Sequence, residues 1–311
     1  MNATTGVGWW RDQPVAWRRA GRSDLGRRVL LIHGFGANLG HWRFTVPALE
    51  PLADVMALDL LGFGASGKPP SWLPGESPQP GSVHYCFDLW AQQVVDLLDA
   101  QPMPRDQPAA ELHLVGNSIG AMVALTAARL LQQRGTPATQ VVLIDCAQRT
   151  LDDKRAEQLS ILQRLNRPLL KRLVRQRWLV NLLFQTLAQP GFVRQVLKRA
   201  YPSGAHVDDE LVELLLAPTR DAGARESFRG FINLFNDHLA PELLADLESP
   251  VRLLWGAQDP WEDPAEAQDW ATHFACIREL VVLPGLGHCP HDEGPELVNP
   301  VLSRWIANPA Q

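Results

Sequence analysis

Short apolar runs that end in glycine turns recur along this chain. RRVLLIHGFG (27–36) is one example, and five further apolar runs occur, at residues 53–64, 111–120, 139–147, 250–259 and 277–288. Continuous apolar runs of this length are typical of strands buried on both faces of a parallel sheet. Amphipathic helical patterns at 86–100 and 121–133 lie between them. The sequence therefore predicts an α/β fold, a mostly parallel twisted sheet flanked by helices.

The region from about residue 149 to 242 breaks this alternation. It has long helical patterns and no clear strand, so it predicts a helical cap inserted between two parts of the core, 1–148 and 243–311. Charge marks the same segment, because residues 151–200 hold 11 lysines and arginines against three acidic residues, while the whole chain has a net charge of −5. Such asymmetry indicates a segment with its own role.

Composition excludes several classes of protein. The net charge of −5 argues against a nucleic-acid partner. The four cysteines lie far apart without a C-x-x-C, which indicates neither a disulfide framework nor a redox motif. The N-terminal residues lack the apolar stretch of a secretion signal, and no run of 18 apolar residues predicts a membrane span. We expect a cytoplasmic protein.

One glycine pattern suggests a nucleotide but fails in context. GFGASG (62–67) matches G-x-G-x-x-G after a strand, yet KPPSWLPGESPQP follows it. Prolines exclude the helix whose N-terminus would hold a pyrophosphate. We predict a tight turn and a long loop that is either disordered or part of a site rim, and no cofactor.

The second glycine pattern is more specific. GNSIG (116–120) is G-x-S-x-G placed directly after an apolar strand and before a helical run. That is the context of a nucleophile elbow, in which two glycines permit a sharp turn and leave the serine hydroxyl exposed. Ser118 is therefore the predicted nucleophile.

A serine nucleophile needs a histidine base that a carboxylate orients. Asp259 ends the run at 250–259, and His288 ends the run at 277–288, so both would reach the sheet edge that carries Ser118. Asp145, at the end of VVLID, competes as the acid, with a helix cap or a rim carboxylate as its alternative role. His291 competes as the base, but it lies past Pro290, further from the strand.

The stretch GHCPHDEGPE (287–296) also offers zinc-type ligands. Structural zinc sites favour C-x₂₋₄-C or H-x₃₋₅-H spacings, which the chain lacks, so we predict no metal. The remaining alternative is a polar loop that opens a helix near Pro295.

Backbone N–H groups should stabilise the oxyanion of an acyl transfer. We expect the N–H of Ile119, directly after the nucleophile, and that of Phe35 in HGFG. His33 in the same loop either orients that loop or is a core histidine bonded to backbone.

The motifs HGFG, DLLGFGASGKP, GNSIG, WGAQDPW and GHCPHDE, in this order, resemble the α/β-hydrolase superfamily with a lid insertion. More narrowly, FDLWAQQVVDLL, DPWEDP and GHCPHDEGPELVNPVLSRWI resemble the pheophytinase and chlorophyll dephytylase group, which cleaves the phytyl ester of chlorin pigments. The resemblance implies an α/β-hydrolase fold and triad roles for Ser118, Asp259 and His288. Ala121 departs from the group, which usually has glycine there.

Three functions stay open from the sequence. The first is a serine hydrolase acting on a hydrophobic ester, with the phytyl ester of a chlorophyll-type pigment as one candidate. The second is a C–C hydrolase or cofactor-free haloperoxidase with the same triad, and the third is a hydrolase-fold ligand receptor with little turnover. RLNRPLLKRLVRQRWLVNLLF (164–184) interleaves cations with apolar residues, which predicts either peripheral contact with a membrane, such as a thylakoid, or a lid with solvated cations.

Overall fold

The computed structural model describes residues 3–101 and 111–309, which form one eight-stranded sheet. The strands are β1 Thr4–Trp10, β2 Gln13–Gly21, β3 Arg27–Ile32, β4 Asp54–Leu58, β5 Glu111–Asn117, β6 Gln140–Ile144, β7 Val251–Gly256 and β8 Ile277–Leu283. Their order in the sheet is β1-β2-β4-β3-β5-β6-β7-β8. All neighbours from β4 to β8 are parallel, and β2 is antiparallel to both β1 and β4. The predicted mostly parallel sheet is confirmed.

The helices are α1 Thr45–Leu49, α2 Phe87–Ala100, α3 Ile119–Gln133, α4 Ile161–Val174, α5 Arg177–Leu187, α6 Pro190–Ala200, α7 Asp209–Leu216, α8 Ala224–Ile232, α9 Ala240–Leu244, α10 Pro264–His273, α11 Pro290–Glu293 and α12 Pro295–Ala307. Alternate residues of each central strand enter different cores. In β3, Leu30 joins a core with α2 and α3, and Leu31 joins another with α1 and α12. Both faces of the sheet are therefore covered, as its apolar strands require.

The six predicted runs are β3 to β8, and each strand ends before its polar turn residues except β5, which includes Asn117. The hairpin of β1 and β2 was not predicted. Its strands contain glycine, proline and arginine, and β1 is a half-exposed edge strand, so no continuous apolar run marks it.

The proline-rich loop after β4 is ordered against the inserted helices. No helix occurs between residues 59 and 86, all of which the structure describes. Lys68 Nζ donates to Asp221 Oδ2 at 2.7 Å, and the guanidinium of Arg177 donates to the Ser71 carbonyl at 3.0 Å. These contacts favour the predicted site rim over the predicted disordered loop.

The chain between β6 and β7 contains only helices and loops within residues 145–250, which are all described. α4 to α8 lie within the region predicted as an insertion, and α9 crosses its predicted end at residue 242. The domain boundaries at 148/149 and 242/243 stay predictions. Among the helices of the described ranges, none is long and apolar enough to cross a bilayer.

Candidate active site

Ser118 lies at the corner between β5 and α3, where it is the N-cap of the helix. Its backbone has φ 55° and ψ −120°, a strained conformation for a residue with a side chain. Three backbone hydrogen bonds hold it: the Ser118 N–H donates to Ile144 O at 2.9 Å, and Ser118 O accepts the N–H of Ala121 at 3.0 Å and that of Ala147 at 3.2 Å. The strand-to-helix elbow predicted from GNSIG is present.

The two glycines of the motif permit this corner because of close backbone contacts. A Cβ on Gly116 would collide with the backbone of Gly120, and one on Gly120 would collide with the carbonyl of Ile32 in the neighbouring strand. Any side chain at these positions would push α3 away from the sheet, and Ser118 with it.

His288 and Asp259 meet at the same edge of the sheet. His288 Nδ1 lies 2.7 Å from Asp259 Oδ2, and Asp259 Oδ1 accepts the N–H of Trp261 at 2.8 Å. Burial by itself would raise the pKa of the Asp259 carboxyl, but the bonds from His288 and from the Trp261 N–H outweigh it and hold that pKa below its usual value. An ionised Asp259 only accepts, so Nδ1 carries the proton and Nε2 is left as an acceptor.

The His288 loop is tied to the serine corner by Asn117, which sequence reasoning did not single out. Asn117 Nδ2 donates to the His288 carbonyl at 3.0 Å and to the Ile144 carbonyl at 3.2 Å. The ring of Trp261, also missed, meets the His288 imidazole edge to face at 4.9 Å. Only their positions in the sequence could have indicated these two residues. Asn117 lies inside the GNSIG motif, and Trp261 is two residues after Asp259.

Ser118 and His288 line the same cavity, which has a volume of about 640 Å³. Each is only 8% exposed. Phe35 and Ile119 also border it. Ile119 is the first residue of α3, so its N–H has no acceptor within the helix, and Phe35 lies in the turn closed by the Ala37 N–H on Gly34 O. The structure thus places both predicted oxyanion-hole residues in the wall of the cavity that Ser118 lines, while their role stays a prediction.

His33 joins two loops at this edge. Its Nδ1 bonds the Gly34 carbonyl at 2.8 Å, and its Nε2 accepts the Leu60 N–H at 3.1 Å. Burial lowers the pKa of His33 to about 4, so the ring is neutral. It is a backbone-bonded core histidine that also positions the Phe35 loop, which combines the two predicted alternatives.

Asp145 is fully buried beneath Asp259. Its Oδ1 accepts the Gly256 N–H at 2.9 Å, so it is neither a helix cap nor a rim carboxylate. Burial, followed by the charge of Asp259, raises the pKa of Asp145 well above its usual value. Asp259, and not Asp145, makes the hydrogen bond to His288.

His291, Asp292 and Glu293 of the 287–296 stretch each contact residues other than Asp259. His291 packs against the Trp42 ring at 4.3 Å, and neither of its ring nitrogens has a hydrogen-bond partner among the described residues. Asp292 accepts from Arg43 Nε at 2.8 Å, and Glu293 accepts the Gly287 N–H at 2.6 Å. Burial lowers the pKa of His291 well below its usual value. These contacts favour His288 as the base.

A second cavity of about 250 Å³ adjoins the first. The two share five residues in their walls, Phe35, Gly36, Ala37, Val196 and Leu215. Most of the remaining lining is apolar and comes from the inserted helices, including Phe184, Leu187, Ala188, Phe192, Val193 and Phe228. The serine cavity therefore borders a smaller space suited to an apolar group.

Comparison with known proteins agrees with this architecture. The chain is 25% identical to a protein of Arabidopsis thaliana named "Pheophytinase, chloroplastic", over 96% of this chain and 65% of that protein. It is 28% identical to the "Dihydrolipoyllysine-residue acetyltransferase component of acetoin cleaving system" of Pseudomonas putida, over 94% of this chain and 66% of that protein. The chain thus spans slightly less than two thirds of the length of either relative.

Solved structures share the fold. The haloalkane dehalogenase DbeA of Bradyrhizobium elkani USDA94 superposes with a TM-score of 0.72 and 20% identity, over 98% of each chain. Residues 29–301, nearly the whole chain, match the "Alpha/beta hydrolase family". The strand order, the serine corner and this match lead to one conclusion: the chain belongs to the alpha/beta hydrolase family.

Proposed function

We propose that this protein is a serine hydrolase that cleaves the carboxylic ester of a hydrophobic substrate. One observation carries the proposal: an imidazole bonded to a buried carboxylate at 2.7 Å shares a cavity wall with a serine at a strained strand-to-helix corner. In this arrangement the serine can be activated by the histidine and the histidine oriented by the carboxylate.

The reaction follows from these positions. His288 Nε2 accepts the hydroxyl proton as Ser118 Oγ attacks the ester carbonyl, and Asp259 stabilises the imidazolium. The tetrahedral oxyanion receives hydrogen bonds from the N–H groups of Ile119 and Phe35. When the intermediate collapses, the imidazolium returns the proton to the leaving alcohol and Ser118 keeps the acyl group. A water molecule, deprotonated by His288, then releases the acid and restores the serine.

The apolar second cavity supports a substrate with a long chain. Burying each CH₂ group of such a chain is favourable by about 0.8 kcal/mol, so an apolar space beside the serine would select for long substituents. The relative named as a pheophytinase makes a phytyl ester of a chlorophyll-type pigment our specific candidate.

A fluorophosphonate probe tests the nucleophile. We expect the wild type to be labelled on the peptide containing Ser118, and Ser118→Ala to be unlabelled. Labelling that persists in Ser118→Ala would place the nucleophile elsewhere. Labelling of Ser118 without turnover of any ester would contradict the ester class while leaving the activated serine in place.

The long-chain specificity has its own test. Ala188 lies in the wall of the second cavity, so Ala188→Phe should fill that space. We expect kcat/KM to fall about tenfold or more for pheophytin and for long-chain esters, and to stay unchanged for a short p-nitrophenyl ester. Ala188→Ser is the matched control. An equal loss for both ester classes would contradict the chain-binding role.

A further inference from the structure

One inserted helix has the opposite orientation from an ordinary amphipathic helix. α4 buries none of its side chains. Ile161 is 78% and Leu165 73% exposed, and the exposed strip comprises Ile161, Leu162, Leu165, Leu169 and Leu173. Their spacing places them on one side of the helix, which we call the leucine face. A surface helix normally turns such a face towards the core.

The charged side of α4 faces the protein instead. Lys171 Nζ donates to Asp153 Oδ2 at 2.7 Å, and Arg167 donates to Asp153 Oδ1 at 2.8 Å. Both cations also lie over the Phe235 ring, at 5.1 and 5.5 Å from its centroid. Ion pairs therefore hold α4 in place, and these contacts leave the leucines outward.

The start of α4 is stabilised locally. The Ser160 side chain accepts the Gln163 N–H, and the Gln163 side chain accepts the Ser160 N–H, which together form a capping box. The helix thus has its own sources of stability and does not depend on burying its leucines.

The apolar surface continues onto the next two helices. In α5, Trp178 is 67% exposed and Leu182 is also exposed. In α6, the partly exposed Phe192 lines the smaller cavity. Exposed apolar side chains therefore extend from α4 to the helices that border the proposed chain-binding space.

Exposed cations accompany this surface. Arg172 lies on the leucine face, seven residues after Leu165, and has no acidic partner within residues 3–101 and 111–309. Exposed Lys198 and Arg199 in α6 likewise have no ion pair among the described residues. Arg177 differs, because its Nε donates to Glu226 at 3.0 Å, so its charge is already paired within the protein. A guanidinium on a long stem can reach a phosphate while its stem and neighbours lie in an apolar layer.

We propose that the leucine face of α4 docks on an anionic lipid surface, with its leucines among the acyl chains and Arg172 at the phosphates. A lipid headgroup supplies the anion that Arg172 lacks. In a symmetric contact between two copies, Arg172 would instead be buried among leucines without a counter-ion, which is costly. Trp178 fits the same surface, since tryptophan favours the boundary between headgroups and acyl chains. The proposal does not require hydrolase activity.

Co-sedimentation with vesicles of phosphatidylcholine and phosphatidylglycerol tests this docking. The test variant is Ile161→Gln/Leu165→Gln/Leu169→Gln. The matched control, Val7→Gln/Leu25→Gln/Leu297→Gln, changes three exposed apolar residues elsewhere. We expect the wild type and the control to bind, and the test variant to bind roughly 100-fold more weakly. Circular dichroism and melting temperature should match for all three, because every changed side chain is exposed.

Charge is tested separately. Arg172→Glu should weaken binding to the mixed vesicles roughly tenfold, since it replaces an attraction of the headgroups by a repulsion. Arg278→Glu, an exposed arginine on β8, is the control and should bind as the wild type does. Pure phosphatidylcholine vesicles should bind the wild type more weakly than mixed ones.

Three results would overturn the proposal. The first is a wild type that does not sediment with mixed vesicles. The second is equal binding of the wild type and the leucine-face variant. The third is a wild-type dimer in analytical ultracentrifugation that the leucine-face variant dissociates, which would assign the face to a second copy of the chain. Because no readout involves catalysis, failure here is distinct from failure of the proposed function.

Discussion

The sheet edge around Ser118 and the helix α4 are similar in how their polar side chains are paired. They differ in where their apolar side chains lie. In both regions carboxylates pair with cations or N–H groups: Asp259 with His288, and Asp153 with Lys171. At the sheet edge Asp259 follows β7, whose Leu254 and Trp255 are buried in the two apolar cores. In α4 the apolar side chains point away from the protein. Packing therefore positions the first region, whereas ion pairs and a cap position the second and leave its apolar face available to a partner.

The largest predicted effect separates the residues of the sheet edge from each other. Ser118→Ala and His288→Ala should each lower kcat about 10⁶-fold, and Asp259→Asn about 10⁴-fold, because the acid acts only through the imidazole. His291→Ala should cost far less, since its ring contacts Trp42 and not Asp259. Steady-state kinetics on a short p-nitrophenyl ester measure this. An inactive His291→Ala that keeps its fold, beside an active His288→Ala, would reverse the base assignment.

The next prediction concerns stability. It uses a Leu→Ala substitution in the core of the sheet, for comparison with the same substitution in α4 below. Leu31 is fully buried in β3, so Leu31→Ala should reduce the free energy of unfolding by about 2 to 5 kcal/mol. Urea denaturation measures the change. A loss below about 1 kcal/mol would mean that the core of the sheet does not position the site as tightly as its packing indicates.

A pH-dependent effect is expected at the sheet edge. Burial raises the pKa of Glu262, whose side chain accepts the Gln148 N–H at 2.8 Å, from 4.5 to about 8. Between these values the folded state binds more protons at this site than the unfolded state, so stability falls as pH rises. The Glu262→Gln variant lacks this titrating group. As the pH rises from 5 to 8, its free energy of unfolding should therefore increase relative to that of the wild type by at least about 1.4 kcal/mol.

Urea denaturation of the wild type and of Glu262→Gln, each at about pH 5 and about pH 8, gives this difference. Glu210→Gln, at an exposed position of α7, is the control and should show no such gain. A constant difference between Glu262→Gln and the wild type across this range would contradict the raised pKa of Glu262.

The smallest predicted effect lies in α4. Leu169→Ala should change the free energy of unfolding by no more than about 0.5 kcal/mol, because its side chain is exposed and both residues favour helix. The comparison with Leu31→Ala is direct, since the chemical change is identical. A loss of 2 kcal/mol or more would show that the leucine face already packs within the protein.

Much of the fold was predictable because its signals are local. The run at 111–120 followed by a helical pattern placed Ser118 at a strand-to-helix corner, and the structure has that corner. The helix predicted over 121–133 begins at Ile119, since Ser118 is its cap. The β1–β2 hairpin was missed because an edge strand needs no continuous apolar run.

The sequence by itself determined the order of the six strands β3 to β8, the serine corner and the sheet edge on which the acid and base would lie, because periodicity and turn chemistry act over a few residues. Only the tertiary structure decided that Asp259 and not Asp145 bonds His288, that His291 packs on Trp42, and that α4 turns its leucines outward. An amphipathic pattern specifies two faces but not which one meets the protein. That choice depends on distant groups, here Asp153 and Phe235, which the fold brings to the charged side of the helix.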